Sequence, residues 1–289
     1  MKPASFEYRR PETVDEAVFL LAEHGSEAKV LAGGQSLVPM LNLRLARPKV
    51  LVDVNRLPLH SVELGHGLLK MGATVRQHRL IDEIEIANAI PVLSHATRFV
   101  AHPAIRNRGT VGGSLAHADP AAELALIAVL NAATMIAASG SGQRRIEAEQ
   151  FFQGPFTTTL ADDELLTAVE FRVSPGVSSF GFAEAAERNG DFALAAAAIE
   201  VRWSQHVVSE ARVAVVGGVD VPRRLPAVEE LMRGADADAT SLLAGEAAEL
   251  AVEDLEFVGD IHASAEHRRS LVGELVSRTV LQALAGHQR

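Results

Sequence analysis

Cysteine is absent from this chain of 289 residues. That absence removes a disulfide framework, thiolate zinc sites, cysteine nucleophiles and ordinary iron–sulfur ligation in one step. Aromatic residues are scarce: the single Trp and single Tyr leave no basis for the stacking platforms that hold single-stranded nucleic acid. An excess of positive charge is also missing. A net charge of −10 argues against nucleic acid or an acidic membrane as partner, because both call for a basic surface. No apolar run reaches the roughly 18–20 residues that cross a bilayer, and the N-terminal "MKPASFEYRRPE" lacks the apolar core of a signal peptide. The expectation is a soluble, cytoplasmic protein with no membrane span. No G-x-S-x-G elbow supports a hydrolase, and no internal repeat or low-complexity tail is found.

What remains is ordinary globular material, 48% hydrophobic and 22% charged, long enough for about two domains. In "RRPETVDEAVFLLAEHGSEAKVLAGG", Thr13 caps a helix, Glu16 completes a capping box, and Val14, Ala17, Val18 and Leu21 share a face. Gly25 stops that helix. Strands are expected at Lys29–Ala32 and Lys49–Pro58, so that roughly the first 55 residues form one helix–strand–loop–strand unit. A strand ending at Gly72, a helix opening near Thr74, a helix with Pro91 in its first turn, and a helix in "AAELALIAVLNA" follow. Thr134–Ala138 and Arg144–Ala148 read as a hairpin around Gly140–Gly142, and Asp162–Val173 as a strand. "SPGVSS", Ser174–Ser179, is the linker candidate. Beyond it "DFALAAAAIEVRW" and "VVSEARVAVVGGV" read as paired strands, although alanine by itself favours helix. Arg223 to the end reads as helical, with Val272, Leu275, Val276, Val280, Ala283 and Leu284 as a packing stripe.

Two stretches carry chemistry. "LAGGQSLVPMLNLRL", from Leu31, places Gly33–Gly34 after an apolar strand, and "RGTVGGSLAHADPAAE", from Arg108, places Gly112–Gly113 between Thr110 and Ser114. Neither is a G-x-G-x-x-G nor a G-x-x-x-x-G-K-[ST] loop. Adjacent glycines let backbone approach a ligand with no Cβ in the way. Two such loops facing each other can clamp a diphosphate; the competing reading is two unrelated tight turns, as Gly217–Gly218 suggest. His117 and Asp119 offer two metal ligands at most, so a structural or ligand-contacting role is the expectation and no metal site is assigned. Arg106 and Arg108 are candidates to neutralise a phosphate or to face solvent. His262 and His267 read as solvated. "RNGD", Arg188–Asp191, has two readings: a polar turn that needs no function, or the rim of a site between the two domains.

Taken together, "FEYRRPETVDEAVFLLAEHG", "KVLAGGQSLVPMLNLRLARPKVLVDVNRL", "RNRGTVGGSLAHADPAAEL" and "ERNGDFALAAAA" resemble the FAD-binding medium subunit of the molybdenum hydroxylases, in order and spacing, over nearly the whole chain. The resemblance implies an α+β architecture with a vanillyl-alcohol-oxidase-like (PCMH-type) FAD-binding domain over residues 1–175, in subdomains of about 1–55 and 56–175. A C-terminal α+β domain over 176–289, like that of the CO dehydrogenase flavoprotein, completes it. Carried over by position, Ala32, Gly33, Gly34, Gln35, Ser36 and Leu37 match the first FAD loop, and Thr110, Val111, Gly112, Gly113 and Ser114 the second. Their N–H groups and hydroxyls would hold the pyrophosphate. His117 and Glu123 match positions near the ribityl and flavin portions, Leu166 an apolar residue near the ring, and Asp191 a family signature facing the site. Where some xanthine dehydrogenase relatives have a lysine near the flavin, this chain has Ala183, which puts NAD as acceptor in doubt.

The implied role is electron transfer: noncovalent FAD receives electrons from the [2Fe–2S] clusters of a small partner subunit and passes them to an external acceptor. A molybdopterin-containing large subunit hydroxylates the substrate, in an assembly that is a dimer of heterotrimers. No side chain of this chain is expected to act as acid, base or nucleophile. "HPAIRNRGTVGGSLAHADPAAE" and "GDIHASAEHRRSL" look most like subunits of enzymes acting on N-heteroaromatics such as quinoline or nicotine. The rival readings are a stand-alone flavin oxidase, which would need a larger substrate domain, and an assembly module that has lost FAD.

Overall fold

The computed structural model describes residues 2–173, 178–236 and 241–287. Near the N-terminus, Glu7–Arg9, Val50–Asp53 and Ala28–Leu31 form a three-stranded sheet with Val50–Asp53 in the middle, both pairings parallel. Parallel neighbours need a crossover, and the helix Val14–His24 supplies it. Thr13 Oγ1 accepts from Glu16 N at 3.1 Å, while the Glu16 carboxylate reaches Glu12 N at 2.8 Å, one residue earlier than a standard capping box. Gly25, with φ +51°, ends the helix. Ala17, Val18 and Leu21 are buried against Val50, Val52 and Val54, and against Ala138 and Leu165 of the next unit.

That unit is a five-stranded sheet in the order Val62–Gly65, Leu68–Gly72, Leu165–Arg172, Thr134–Ser139, Gly142–Glu147, antiparallel throughout. The helix expected near Thr74 opens only at Arg79. Residues between are held elsewhere: Gln77 N donates to Gly109 O at 3.0 Å, and Val75 O accepts from Val111 N at 2.9 Å. Pro91 begins its helix, Pro91–Thr97, as expected. Every residue of the helix Glu123–Leu130 is buried, as an all-round apolar helix must be.

A four-stranded antiparallel sheet follows, in the order Ser178–Ala185, Ala195–Ser204, Val207–Val216, Arg223–Arg224. Both faces of its alanine-rich strand are covered. Ala196 and Ala198 join the core built on Glu123–Leu130, while Ala195 and Ala197 join a second core built on the helix Ala265–His287. Small side chains let both helices close on the sheet, so packing overrides the helical propensity of alanine. The stripe from Val272 to Leu284 is buried against this second core. The reading of everything beyond Arg223 as helix needs correction. Arg223–Arg224 pairs as a strand, helices run at Pro226–Met232, Ser241–Leu250 and Ala265–His287, and 251–264 is not helical. Of the linker candidate, residues 174–177 lie outside the described residues. Ser179 is already inside the sheet, accepting from Trp203 Nε1 at 2.8 Å and donating to Ala283 O at 2.5 Å.

Candidate functional site

The two glycine loops meet. A Cβ on Gly33 would overlap the Arg108 carbonyl oxygen and lie 2.9 Å from Gly109 Cα, so only glycine lets the first loop lie flat on the segment leading into the second. One on Gly113 would stand 3.6 Å from Ala32 Cβ. Gly112 has a different task. It faces Ala73, whose Cβ a side chain there would overlap, and so lets the helix Val111–His117 seat on the second unit's sheet.

The loops differ in what they leave available. In the first, Gly34 has φ +75°, and among the described residues no acceptor meets the backbone N–H of Gly33, Gly34, Gln35, Ser36 or Leu37. Gln35 folds back, its Nε2 donating to Gly33 O at 2.9 Å. In the second, four of the five N–H groups are engaged: Val111 with Val75 O and Gly112 with Ala73 O, each at 2.9 Å, Ser114 with Thr110 O at 3.1 Å, and Gly113 with Thr110 Oγ1 at 3.0 Å. Hydroxyl groups are what that loop has to offer, with Ser114 half-buried and its hydroxyl without a partner among the described residues. The arrangement suits an anionic group lying on the first loop, since unpaired N–H groups in a concave backbone favour negative charge.

A polar chain that carries no sequence motif ties the loops together. Asn55 Nδ2 donates to Ala32 O at 2.8 Å, Asn55 Oδ1 accepts from Arg76 Nη2 at 2.7 Å, and Arg76 Nη1 donates to Arg108 O. Asn55 is itself fixed by Asp53 Oδ1, and Asp53 Oδ2 accepts from Tyr8. Arg106, one of the expected phosphate cations, instead donates to Val100 O and Ala101 O at 2.7 and 2.9 Å. The Arg108 side chain is exposed.

Of the remaining candidates, His117 ends its helix with its ring 5.1 Å from that of Phe156. Leu166 is buried in the main core. Asp191 is exposed in the turn after Arg188, whose carbonyl accepts from Asp191 N at 3.1 Å; through Gly190 that turn rests on the Ala101 carbonyl oxygen and the His102 ring. Glu123, first residue of its helix, is 8% exposed. Burial pushes its carboxyl up to about 7, against the pull of its own backbone N–H, with Asp119 adding to the rise and Arg106 opposing it. Glu184 was not foreseen. Its register partner is Ala196, whose own partner is Val216, and the next N–H, that of Gly217, donates to Pro120 O at 3.0 Å. Glu184 thus sits on the sheet face that carries the start of the Glu123 helix. One of its oxygens, Oε2, is buried without a hydrogen bond, and burial with the Glu123 charge pushes its carboxyl up to about 8. Ala183 points the other way, into the core of the Ala265–His287 helix. Among the described residues no group of acidic or histidine side chains could hold a metal, and no helix is long and apolar enough to cross a membrane.

Comparison with known proteins agrees over the full length. Residues 4–171 match the family described as the FAD binding domain in molybdopterin dehydrogenase, and residues 180–283 the CO dehydrogenase flavoprotein C-terminal domain. The chain is 39% identical to the 6-hydroxypseudooxynicotine dehydrogenase complex subunit alpha of Paenarthrobacter nicotinovorans, over 98% of this chain and 96% of that one. It is 36% identical to the nicotine 6-hydroxylase medium subunit of the same organism, over 98% and 99%. A chain of quinoline 2-oxidoreductase from Pseudomonas putida 86 superposes with a TM-score of 0.95 at 36% identity, covering all of both chains. The α+β architecture, the paired glycine loops and these relatives lead to one conclusion: the chain belongs to the FAD-binding medium subunits of the molybdenum hydroxylases.

Proposed function

We propose that this chain binds FAD noncovalently between its glycine loops and works as the electron-transfer subunit of a molybdenum hydroxylase. The observation that carries the reading is the run of five unpaired N–H groups from Gly33 to Leu37, pressed against the second loop. The residues fit the group: among the described residues no carboxylate takes up the loop's unpaired donors, and a Cβ at Gly33 would wedge the two loops apart. The N–H groups of Gly33, Gly34, Gln35, Ser36 and Leu37 take the diphosphate, with Ala32 fixing the turn. Thr110 and Ser114 add hydroxyls, while Val111, Gly112 and Gly113 hold the second loop in place. His117, Glu123, Leu166 and Asp191 line the remainder, Glu123 holding a proton on its carboxyl near neutral pH.

Bound FAD supplies the redox chemistry, taking electrons one at a time and releasing them to an external acceptor. The chain's own task is to bind, orient and shield it. We place [2Fe–2S] clusters in a small partner subunit and molybdopterin in a large one, assembled as a dimer of heterotrimers in the cytoplasm, with an N-heteroaromatic as substrate. The nicotine and quinoline enzymes among the relatives support that substrate class. The division at 1–175 and 176–289 belongs to the same proposal. Purification with and without the partner subunits, followed by a visible spectrum, tests it. Flavin bands in both preparations, and no organic substrate turned over by the chain alone, are expected. A protein that stays colourless after FAD reconstitution refutes the cofactor site, and turnover by the isolated chain refutes the subunit role.

A further inference from the structure

A diphosphate on the first loop brings negative charge, and the loop lacks the lysine that a P-loop supplies. Arg106 is committed to the carbonyl oxygens of Val100 and Ala101. Arg76 is the cation at the seam. Its Nη1 bonds Arg108 O, the oxygen against which Gly33 is packed, and its Nη2 bonds Asn55 Oδ1 at 2.7 Å. Asn55 passes the connection to Ala32 O at 2.8 Å. One guanidinium therefore reaches the backbone of both loops, directly on one side and through a single amide on the other.

This geometry uses what distinguishes arginine from lysine. The planar guanidinium carries five N–H donors in a fixed fork and stays charged when partly buried. Burial and the like charge of Arg108 press the Arg76 guanidinium below its ordinary value, and Asp53 opposes them. No carboxylate bonds Arg76 directly: the nearest acid in the polar chain, Asp53, is occupied by Tyr8 and Asn55. Asp53 therefore acts on Arg76 only from a distance, through Asn55, and among the described residues no ion pair ties up the guanidinium beside the unpaired N–H groups of Gly33 and its successors.

We propose that Arg76 is the positioning residue of the diphosphate clamp, fixing the gap between the two loops through Asn55 and Arg108 and supplying the positive charge that the first loop lacks. The proposal rests on the FAD reading above. It is tested on the full chain by titrating FAD at low and high ionic strength into wild type, Arg76→Lys, Arg76→Met and Asn55→Ala, with thermal unfolding of each apoprotein alongside. Arg76→Met is expected to bind FAD at least tenfold more weakly at low salt and to lose much of the salt dependence. Arg76→Lys should keep the salt dependence while losing part of the affinity. Asn55→Ala should weaken binding with its salt dependence intact, because the charge remains. Arg76→Met affinity within twofold of wild type, or weakened with an unchanged salt dependence, overturns the proposal while leaving the clamp. If wild type binds no FAD at any salt concentration, the clamp itself falls and this inference with it.

Discussion

Gly33→Ala is the sharpest probe of how the loops fit together. The added methyl would overlap the Arg108 carbonyl oxygen and stand 2.9 Å from Gly109 Cα and 3.0 Å from the Arg108 carbonyl carbon. All three are backbone atoms, so no side chain can rotate aside. Gly33 does not have a positive φ, so the penalty comes from contact and not from backbone strain. Overpacking of this kind costs about 1–3 kcal/mol. At about 2–4 °C per kcal/mol for a chain of this order of size, the melting temperature should fall by roughly 2–12 °C. Gly140→Ala is the control, since nothing lies within 4 Å of a Cβ there. Relief of the clash must move the first loop off the second, so FAD affinity should drop along with stability. Thermal unfolding by circular dichroism and FAD titration by fluorescence measure the two effects. If Gly33→Ala melts with Gly140→Ala and binds FAD like wild type, the close approach of the loops is wrong.

Gly34→Val and Gly113→Val should each abolish flavin retention on a desalting column. The first forces a β-branched residue to φ +75°, and the second drives a Cβ to 2.6 Å from Thr110 Oγ1. Thr110→Ala removes the cap accepting from Gly113 N and should cost about 0.5–2 kcal/mol by denaturant unfolding. The carboxyls of Glu123 and Glu184 sit above the ordinary value of 4.5, at about 7 and about 8. The folded chain therefore holds more protons than the unfolded one across that interval, and stability falls as pH rises through it. Glu184→Gln should flatten that fall, with a gain on the order of 2 kcal/mol at the alkaline end after allowing for solvent screening; an unchanged profile of melting temperature against pH counts against the pairing. Arg268→Ala should cost about 1.5–3 kcal/mol, because this buried side chain bonds Leu194 O at 2.6 Å and Asp260 at 2.7 Å.

Local rules were legible in the sequence because their causes lie within a few residues. Thr13 and Gly25 bracket their helix through contacts a turn away. The stripe from Val272 to Leu284 follows from helical period alone, and the unbroken apolar run from Leu124 to Leu130 implies a helix covered on every side. The glycine–hydroxyl pairs marked both loops as places where backbone comes close to a neighbour. Only the tertiary structure decided how that backbone is used. Which N–H groups remain unpaired depends in part on carbonyls far along the chain: those of Ala73 and Val75 consume two donors of the second loop, and nothing among the described residues consumes those of the first. The alanine run became a strand because two helices cover it, a condition its own composition cannot express. Arg76, Asn55 and Glu184 carry no motif, since an arginine, an asparagine or a glutamate acquires its role from the acceptors and charges that folding brings beside it. Propensity, capping and period act along the chain, whereas pairing, burial and charge act through space, and the cofactor site is built mainly from the second set.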